Sequence, residues 1–136
     1  MFDQSDRTLA IALAILRVTF AMFMAVWVVE KFVAPGTTSA IVGSYYGFDL
    51  GIALAYAIGT VQALLLAAFV AGVFKTVSYG AFVLMHASSV VVGWQHLITP
   101  YDGFNHLFYA GLPALGAIVA LFLLRERDVL FTLGRR

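Results

Sequence analysis

Four long runs of apolar residues, separated by short polar stretches, dominate the chain. The runs cover about residues 8–33, 49–74, 76–98 and 105–124. A helix rises about 1.5 Å per residue, so roughly 20 apolar residues cross a hydrocarbon core of about 30 Å. Backbone polar groups in lipid must be bonded internally, and the alternation typical of a transmembrane strand is missing from the sequence. The pattern therefore predicts an all-α integral membrane protein, a four-transmembrane-helix bundle.

The polar stretches set the predicted boundaries. Pro35 and Gly36 are predicted to end the first helix, and residues 37–48 are predicted to be a polar loop. The N-terminus is acidic rather than basic, and the first run is too long for a signal peptide, so we expect this run to stay in the mature protein. Because the runs account for nearly all 136 residues, residues 1–136 are predicted to form a single membrane domain.

The composition agrees with a membrane protein and excludes several kinds of binding site and reaction. Hydrophobic residues make up 62% of the chain and charged residues 11%, and the mean hydropathy is +0.97. The high apolar content predicts that the chain is surrounded by a lipid bilayer. The net charge of +1 provides no basic surface that would bind nucleic acid. The absence of cysteine excludes disulfides, thiolate metal sites and thiol redox chemistry in this chain.

The placement of lysine and arginine predicts the orientation. With four spans, both termini and the second loop share one side of the membrane. Six of the eight lysines and arginines belong to that side, and only Lys31 belongs to the other. The six are Arg7, Lys75, Arg125, Arg127, Arg135 and Arg136. By the positive-inside rule, both termini are predicted to be cytoplasmic.

One arginine, Arg17, lies deep within the first run. A charge at that depth costs at least about 2.5–3.5 kcal/mol on insertion scales, so it is expected to face protein rather than lipid. Gln62 and His86 fall at a similar depth on two other helices. We expect Arg17 to be held by Gln62, a hydroxyl such as that of Thr19 or Thr60, and free carbonyl groups. This group either pins the bundle or borders a cavity for a polar headgroup or a proton path.

Two helices carry a patterned face. The second run has small residues at every fourth position, which predicts close helix packing. These residues are Gly51, Ala55, Gly59, Ala63, Ala67 and Ala71. The third run has one polar face that is predicted to point into the bundle. Its members are Tyr79, His86, Ser89, Gly93 and His96.

Polar and aromatic residues gather at the end predicted to be periplasmic. The polar residues are Glu30, Lys31, Gln95, His96, Asp102, Asn105 and His106, and the aromatic ones are Trp27, Tyr45, Tyr46, Trp94 and Tyr101. An interfacial aromatic belt explains the tryptophans and tyrosines. It explains two histidines and a glutamate on different helices less well, so a binding site is a competing interpretation.

Three ligands compete for this site. A divalent metal would suit the imidazole and carboxylate groups of Glu30, His96 and His106. A haem held by His86 and a second histidine is a further alternative. A quinone headgroup needs hydrogen-bond donors beside an apolar slot, and His96 would supply one, assisted by Trp94, Glu30 and His106. Quinone is the favoured cofactor, and haem or a metal is the less favoured one.

The chain resembles the DoxX-like family, which includes the methylamine-utilisation MauE proteins. The resemblance lies in four short spans, Leu16-Arg17 early in the first, the sequence Val28-Val29-Glu30-Lys31-Phe32 at its end, and a glycine-rich second span. Only Arg17 and Lys31 can be carried over by position. Val28 stands where family members often have glycine, and Gln62 or its neutral neighbours stand where they tend to have an acid.

The resemblance implies a redox association, because relatives include the membrane subunit of thiosulfate:quinone oxidoreductase. Our first functional hypothesis is therefore an inner-membrane subunit of a redox complex that interacts with quinone near the periplasmic face. The second is a non-catalytic accessory subunit that stabilises a larger membrane complex. A small transporter is a third. A membrane protein partner or a second copy of the chain is expected in either of the first two cases.

Overall fold

The computed structural model describes residues 4–134, and every regular element in that part of the chain is helical. The α-helices are α1 Gln4–Val33, α2 Pro35–Tyr46, α3 Ile52–Ala71, α4 Lys75–Val92, α5 Trp94–Ile98 and α6 Gly111–Leu123. Two 3-10 helices, Asn105–Ala110 and Arg125–Arg127, precede and follow α6. The predicted all-α class is confirmed.

Within residues 4–134, three helical segments are long and apolar enough to cross a membrane. They are Gln4–Val33, Ile52–Ala71 and Asn105–Leu123, and they correspond to the first, second and fourth predicted spans. The third predicted span is divided at Gly93 into α4 and α5. Lysine, tyrosine, histidine and several hydroxyl residues lower the hydropathy of α4. The count of four spans stays a prediction.

The predicted loop over residues 37–48 is wrong, because most of it forms α2. Pro35 occupies the first turn of this helix, where its fixed φ suits the helix and its missing N–H is not needed. Thr38 is buried and its hydroxyl donates to Glu30 Oε1 at 3.2 Å, which ties α2 to the end of α1. Gly47 ends the helix with a φ of 78°.

Helix α1 packs against α3 and α6, and α4 packs against the same two helices. Helices α1 and α3 come close together at Gly59, where an added Cβ would lie 2.9 Å from the Cβ of Lys31 and 3.1 Å from the Phe32 ring. The predicted small-residue face is therefore confirmed at Gly59 and at the buried Ala55. It does not extend along the whole helix, since Ala67 is exposed.

Aromatic side chains fill the centre of the bundle. Phe69 lies between Tyr79 and Phe82, with ring centroids 4.6 and 5.3 Å away. Phe20 then links this group to His86 at 6.0 Å. All three phenylalanines are buried, and Leu13, Met24, Ile118 and Leu121 complete the core around them.

The bundle has two distinct ends. At the first, which we call the Asp128 end, the start of α1 meets the segment that follows α6, and Arg127 Nη2 lies 3.2 Å from Asp6 Oδ1. The turn between α3 and α4 is at the same end, since Lys75 Nζ donates to the Asp128 carbonyl oxygen at 2.6 Å. The opposite end, which we call the His96 end, contains α2, α5 and the turn before α6.

Candidate functional site

His96 lies on the short helix α5, beyond the break at Gly93. An added Cβ at Gly93 would lie 3.2 Å from the Ser89 carbonyl oxygen and 3.5 Å from the Phe108 ring. The Phe108 ring therefore lies at ordinary van der Waals distance from this position, next to α5. The result is a small group of side chains from α2, α5 and the 3-10 helix before α6.

A chain of hydrogen bonds passes through the His96 ring. The Tyr45 hydroxyl lies 2.8 Å from Nε2, and Asn105 Oδ1 lies 2.8 Å from Nδ1. Asn105 is itself fixed, because its Nδ2 donates to the carbonyl oxygen of Thr99 at 3.0 Å and to the Thr99 hydroxyl at 3.1 Å. Both ring nitrogens of His96 are thus engaged, by one residue of α2 and one residue of the 3-10 helix before α6.

These partners allow the tautomer of His96 to be assigned. A carbonyl oxygen only accepts, so the Asn105 amide must point its NH₂ group at Thr99 and its Oδ1 at the histidine. Oδ1 is an acceptor too, so in the neutral imidazole the proton resides on Nδ1 of His96. Nε2 is left with its lone pair and accepts the Tyr45 hydroxyl proton, so His96 does not supply the free hydrogen-bond donor that the sequence predicted for a quinone oxygen.

One face of the His96 ring is covered by an aromatic side chain. The Phe108 ring is stacked on it, with centroids 4.0 Å apart and planes 18° apart. Tyr45 approaches from a different direction, with its ring centroid at 5.8 Å. His96 and Tyr45 are only half-buried. The site therefore combines a proton acceptor, a phenol and a flat apolar surface at the rim of the bundle.

The other residues predicted for this site lie elsewhere or point outward. Glu30 accepts from Thr38 rather than from a group on α5. Trp94 is 52% exposed, and His106 is exposed as well. Within residues 4–134, no three histidine, aspartate or glutamate side chains come together as a metal-binding group. Glu30, His96 and His106 thus do not form the metal site that was one alternative.

His86 is separate from the His96 group. Its Nε2 donates to the Gly111 carbonyl oxygen at 2.8 Å, which joins α4 to the start of α6. The rings of Phe20 and Phe23 meet the imidazole edge-on, at 6.0 and 5.4 Å. The predicted inward-facing polar face of the third run is confirmed at Tyr79 and His86, which are buried, whereas Ser89 is exposed.

Arg17 is buried, as predicted, with 2% of its surface exposed. Its partners, however, come from the segment after α6. Nη1 lies 2.7 Å from Asp128 Oδ1, and Nη2 donates to the carbonyl oxygens of Leu130 at 2.6 Å and Phe131 at 3.3 Å. Nε is buried without a hydrogen-bond partner.

The expected contact of Arg17 with Gln62 is wrong. Gln62 Nε2 reaches Met85 Sδ at 3.3 Å, and the hydroxyls of Thr19 and Thr60 bond to carbonyls of their own helices. Lys31, the other residue carried over from the family resemblance, donates to the Trp27 carbonyl oxygen at 3.0 Å.

Asp128 completes the buried polar group. Its Oδ2 accepts the Tyr79 hydroxyl at 2.6 Å, and Lys75 Nζ bonds to its backbone carbonyl. Sequence reasoning missed this residue because it follows Arg125, Glu126 and Arg127, a charged run that has the appearance of a solvated tail. The available signal was the unpaired charge of Arg17, which required an acidic partner somewhere in the chain.

A shallow open groove of about 720 Å³ lies along α2 and the loop to α3. Its lining consists mostly of small residues, including Gly36, Ala40 and Gly43, together with Asp49. It does not include His96 or Tyr45. This groove and the hydrogen-bonded group around His96 are therefore separate features.

No known protein family, no curated protein and no solved structure matches this chain. The resemblance to the DoxX-like family stays a prediction that depends on the residues quoted for it.

Proposed function

We propose that this chain is a DoxX-like inner-membrane subunit of a redox complex and that it interacts with a quinone at the His96 end. The observation that carries the proposal is the linked arrangement of Tyr45, His96 and Asn105, with Phe108 stacked on the imidazole. A quinone headgroup is a flat ring with two oxygen atoms. It needs a polar group for an oxygen and an aromatic surface for the ring.

The residues present fit such a headgroup. The Tyr45 phenol is already an oxygen-bearing six-membered ring hydrogen-bonded to His96 Nε2 at 2.8 Å, so a ring of this type can approach the imidazole. Phe108 is 41% exposed, so part of this residue is accessible to a ligand at the rim of the bundle. A bound quinone would supply two-electron chemistry, and the role of this chain would be to bind and orient the ring and to hold a proton at His96.

The charge distribution supports a periplasmic position for this site. Four of the described cations lie at or near the Asp128 end, namely Arg7, Lys75, Arg125 and Arg127, whereas Lys31 lies near the His96 end. The positive-inside rule then assigns the Asp128 end to the cytoplasm. The His96 group would meet the quinone pool at the outer leaflet.

Extraction of bound quinone tests this proposal. The full chain is purified in mild detergent, and lipids are extracted and analysed for quinone. We expect quinone in the wild-type protein and its loss in His96→Ala, with helical content unchanged. His106→Ala is the matched control, because this exposed histidine lies at the same end outside the hydrogen-bonded group. Equal quinone content in all three proteins, or none in the wild type, contradicts the proposal.

A second candidate, a non-catalytic accessory subunit, is favoured by a different observation. Gly36 in α2 and Gly116 in α6 face open space, and a Cβ at either position would meet nothing within 4 Å. Glycine costs about 1 kcal/mol in a helix compared with alanine, and internal packing does not require it at these sites. Such flat patches suit close contact with another membrane helix.

Mass spectrometry of the intact protein in mild detergent separates the two candidates. A stoichiometric membrane partner that is lost in Gly36→Leu or Gly116→Leu, in a protein without quinone, supports the accessory function. Quinone bound to the isolated chain supports the redox function.

A further inference from the structure

We propose that the His96 site selects the reduced form of its ligand, a hydroquinone, over the quinone. This inference rests on the proposed function and goes one step further, because it assigns the ligand's redox state. The observation behind it is the direction of the hydrogen bonds around His96, which the surrounding residues fix.

The first step concerns what His96 can offer to a ligand. Its only ring proton, on Nδ1, is committed to Asn105 Oδ1. Asn105 cannot rotate to release this proton, since its amide nitrogen is held by Thr99 at two atoms. The lone pair of Nε2 faces the Tyr45 hydroxyl at 2.8 Å, and a ligand atom that replaces this hydroxyl must carry a hydrogen.

The second step compares the two redox forms. A quinone has only carbonyl oxygens, which are acceptors, so at Nε2 two lone pairs would face each other. A hydroquinone has hydroxyl groups and donates to Nε2 as a phenol does. The structure contains that interaction already, because the Tyr45 phenol bonds to Nε2 at 2.8 Å. Tyr45 thus occupies the position that a hydroquinone hydroxyl would take.

The third step concerns exchange. Tyr45 lies on α2, is only half-buried, and bonds to His96 through a hydroxyl at the end of its side chain. A hydroquinone that binds must displace this hydroxyl from Nε2. Tyr45 therefore acts as an internal competitor, and its removal should strengthen the binding of the reduced ligand. If Tyr45 were instead a donor to a quinone carbonyl, its removal would weaken binding.

The experiment measures both redox forms on the same protein. The full chain in nanodiscs is titrated without oxygen with the decyl analogue of ubiquinone and, separately, with its reduced form. Binding is followed by the fluorescence of tryptophan, since Trp94 lies two positions from His96. One hydrogen bond contributes about 0.5–1.5 kcal/mol, so we expect the reduced form to bind up to about tenfold more tightly.

Three variants sharpen the result. In Tyr45→Phe we expect the reduced form to bind several-fold more tightly and the oxidised form to be unaffected. In Asn105→Leu the imidazole proton is no longer held on Nδ1, so the preference for the reduced form should shrink. His106→Gln is the matched control and should behave as the wild type. Chromatographic behaviour and helical circular dichroism verify that each variant is folded.

The possible results are distinguishable. If the oxidised form binds as tightly as the reduced form, or Tyr45→Phe weakens both, the inference is overturned while quinone binding itself stands. If neither form binds to the wild-type protein, both the proposed function and this inference are contradicted.

Discussion

Nη1 of Arg17 lies 2.7 Å from Oδ1 of Asp128, although 111 residues separate the two in the chain. Both side chains are buried, and the Tyr79 hydroxyl bonds to the second carboxylate oxygen. An ion pair removed from water gains little net energy, but an unpaired partner left behind is costly. The segment after α6 is therefore part of the fold, and its acidic residue neutralises the charge inside the first helix.

We predict that loss of either partner destabilises the protein strongly. Arg17→Leu leaves the carboxylate without its cation, and Asp128→Leu leaves the guanidinium without its anion, so each should cost about 3–5 kcal/mol. The double variant should be less destabilised than the sum, because it leaves no unpaired charge. SDS-driven unfolding in mixed micelles measures all three.

The control for this cycle is the ion pair between Arg127 and Asp6, in which the side chains are 62% and 44% exposed. Arg127→Ala should cost less than about 1 kcal/mol. Additive effects of the Arg17 and Asp128 substitutions would show that the two residues are not coupled.

A second prediction concerns the fit of the C-terminal segment against the turn after α3. Gly72 has a φ of 63°, and a Cβ there would collide with the Thr132 side chain. The Leu133 N–H donates to the Ala71 carbonyl oxygen at 2.8 Å beside it. Gly72→Ala should therefore detach the segment and lower the unfolding midpoint.

Gly47→Ala is the matched control for this substitution. Gly47 has a φ of 78° but no atom within 4 Å of an added Cβ, so the variant bears only the backbone cost of about 1–2 kcal/mol. Limited proteolysis distinguishes the two variants, because only Gly72→Ala should free the segment for cleavage. Equal protection of the segment in both would contradict this account.

A third prediction concerns the contact between α1 and α3. Gly59→Ala places a methyl group 2.9 Å from the Cβ of Lys31, and overpacking of this kind costs about 1–3 kcal/mol. Gly116→Ala meets open space and should be neutral or stabilise α6 by up to about 1 kcal/mol. Thermal unfolding in detergent measures the difference, and a Gly59→Ala protein as stable as the wild type would refute the close approach.

The fourth prediction concerns orientation. A reporter that is active only in the cytoplasm should be active when fused after Arg136 and inactive when inserted at Gly103, in the turn that precedes α6. The reverse pattern would place the His96 group on the cytoplasmic side and would contradict the assignment from the positive-inside rule.

The sequence predicted some features well because a strong physical cost enforces them. A guanidinium in an apolar helix must be shielded, so the burial of Arg17 followed from its position alone. The location of His96 at the same end as Tyr45 and Asn105 followed from counting residues along the helices. These predictions needed only helix length and polarity.

Other features depend on long-range packing that periodicity does not encode. Asp128 follows a charged run, and nothing local indicates that the chain turns back beneath the bundle at that point. Helix α2 has the composition of a loop, and it is helical because Pro35 can begin a helix and Thr38 finds a partner on α1. Phe108 stacks on His96 from the 3-10 helix before α6, and the unbroken apolar run from 76 to 98 does not indicate the break at Gly93 that separates α5 from α4.

The buried phenylalanines Phe20, Phe69 and Phe82 form an apolar layer inside the bundle. Tyr79, which bonds to Asp128, contacts this layer on one side, and His86 contacts it on the other. In a membrane, this apolar layer would separate the polar side chains at the two ends of the bundle. The hydrogen bonds around His96 and the ion pair between Arg17 and Asp128 would then lie on opposite sides of an apolar layer, with no polar side chain of this layer to connect them.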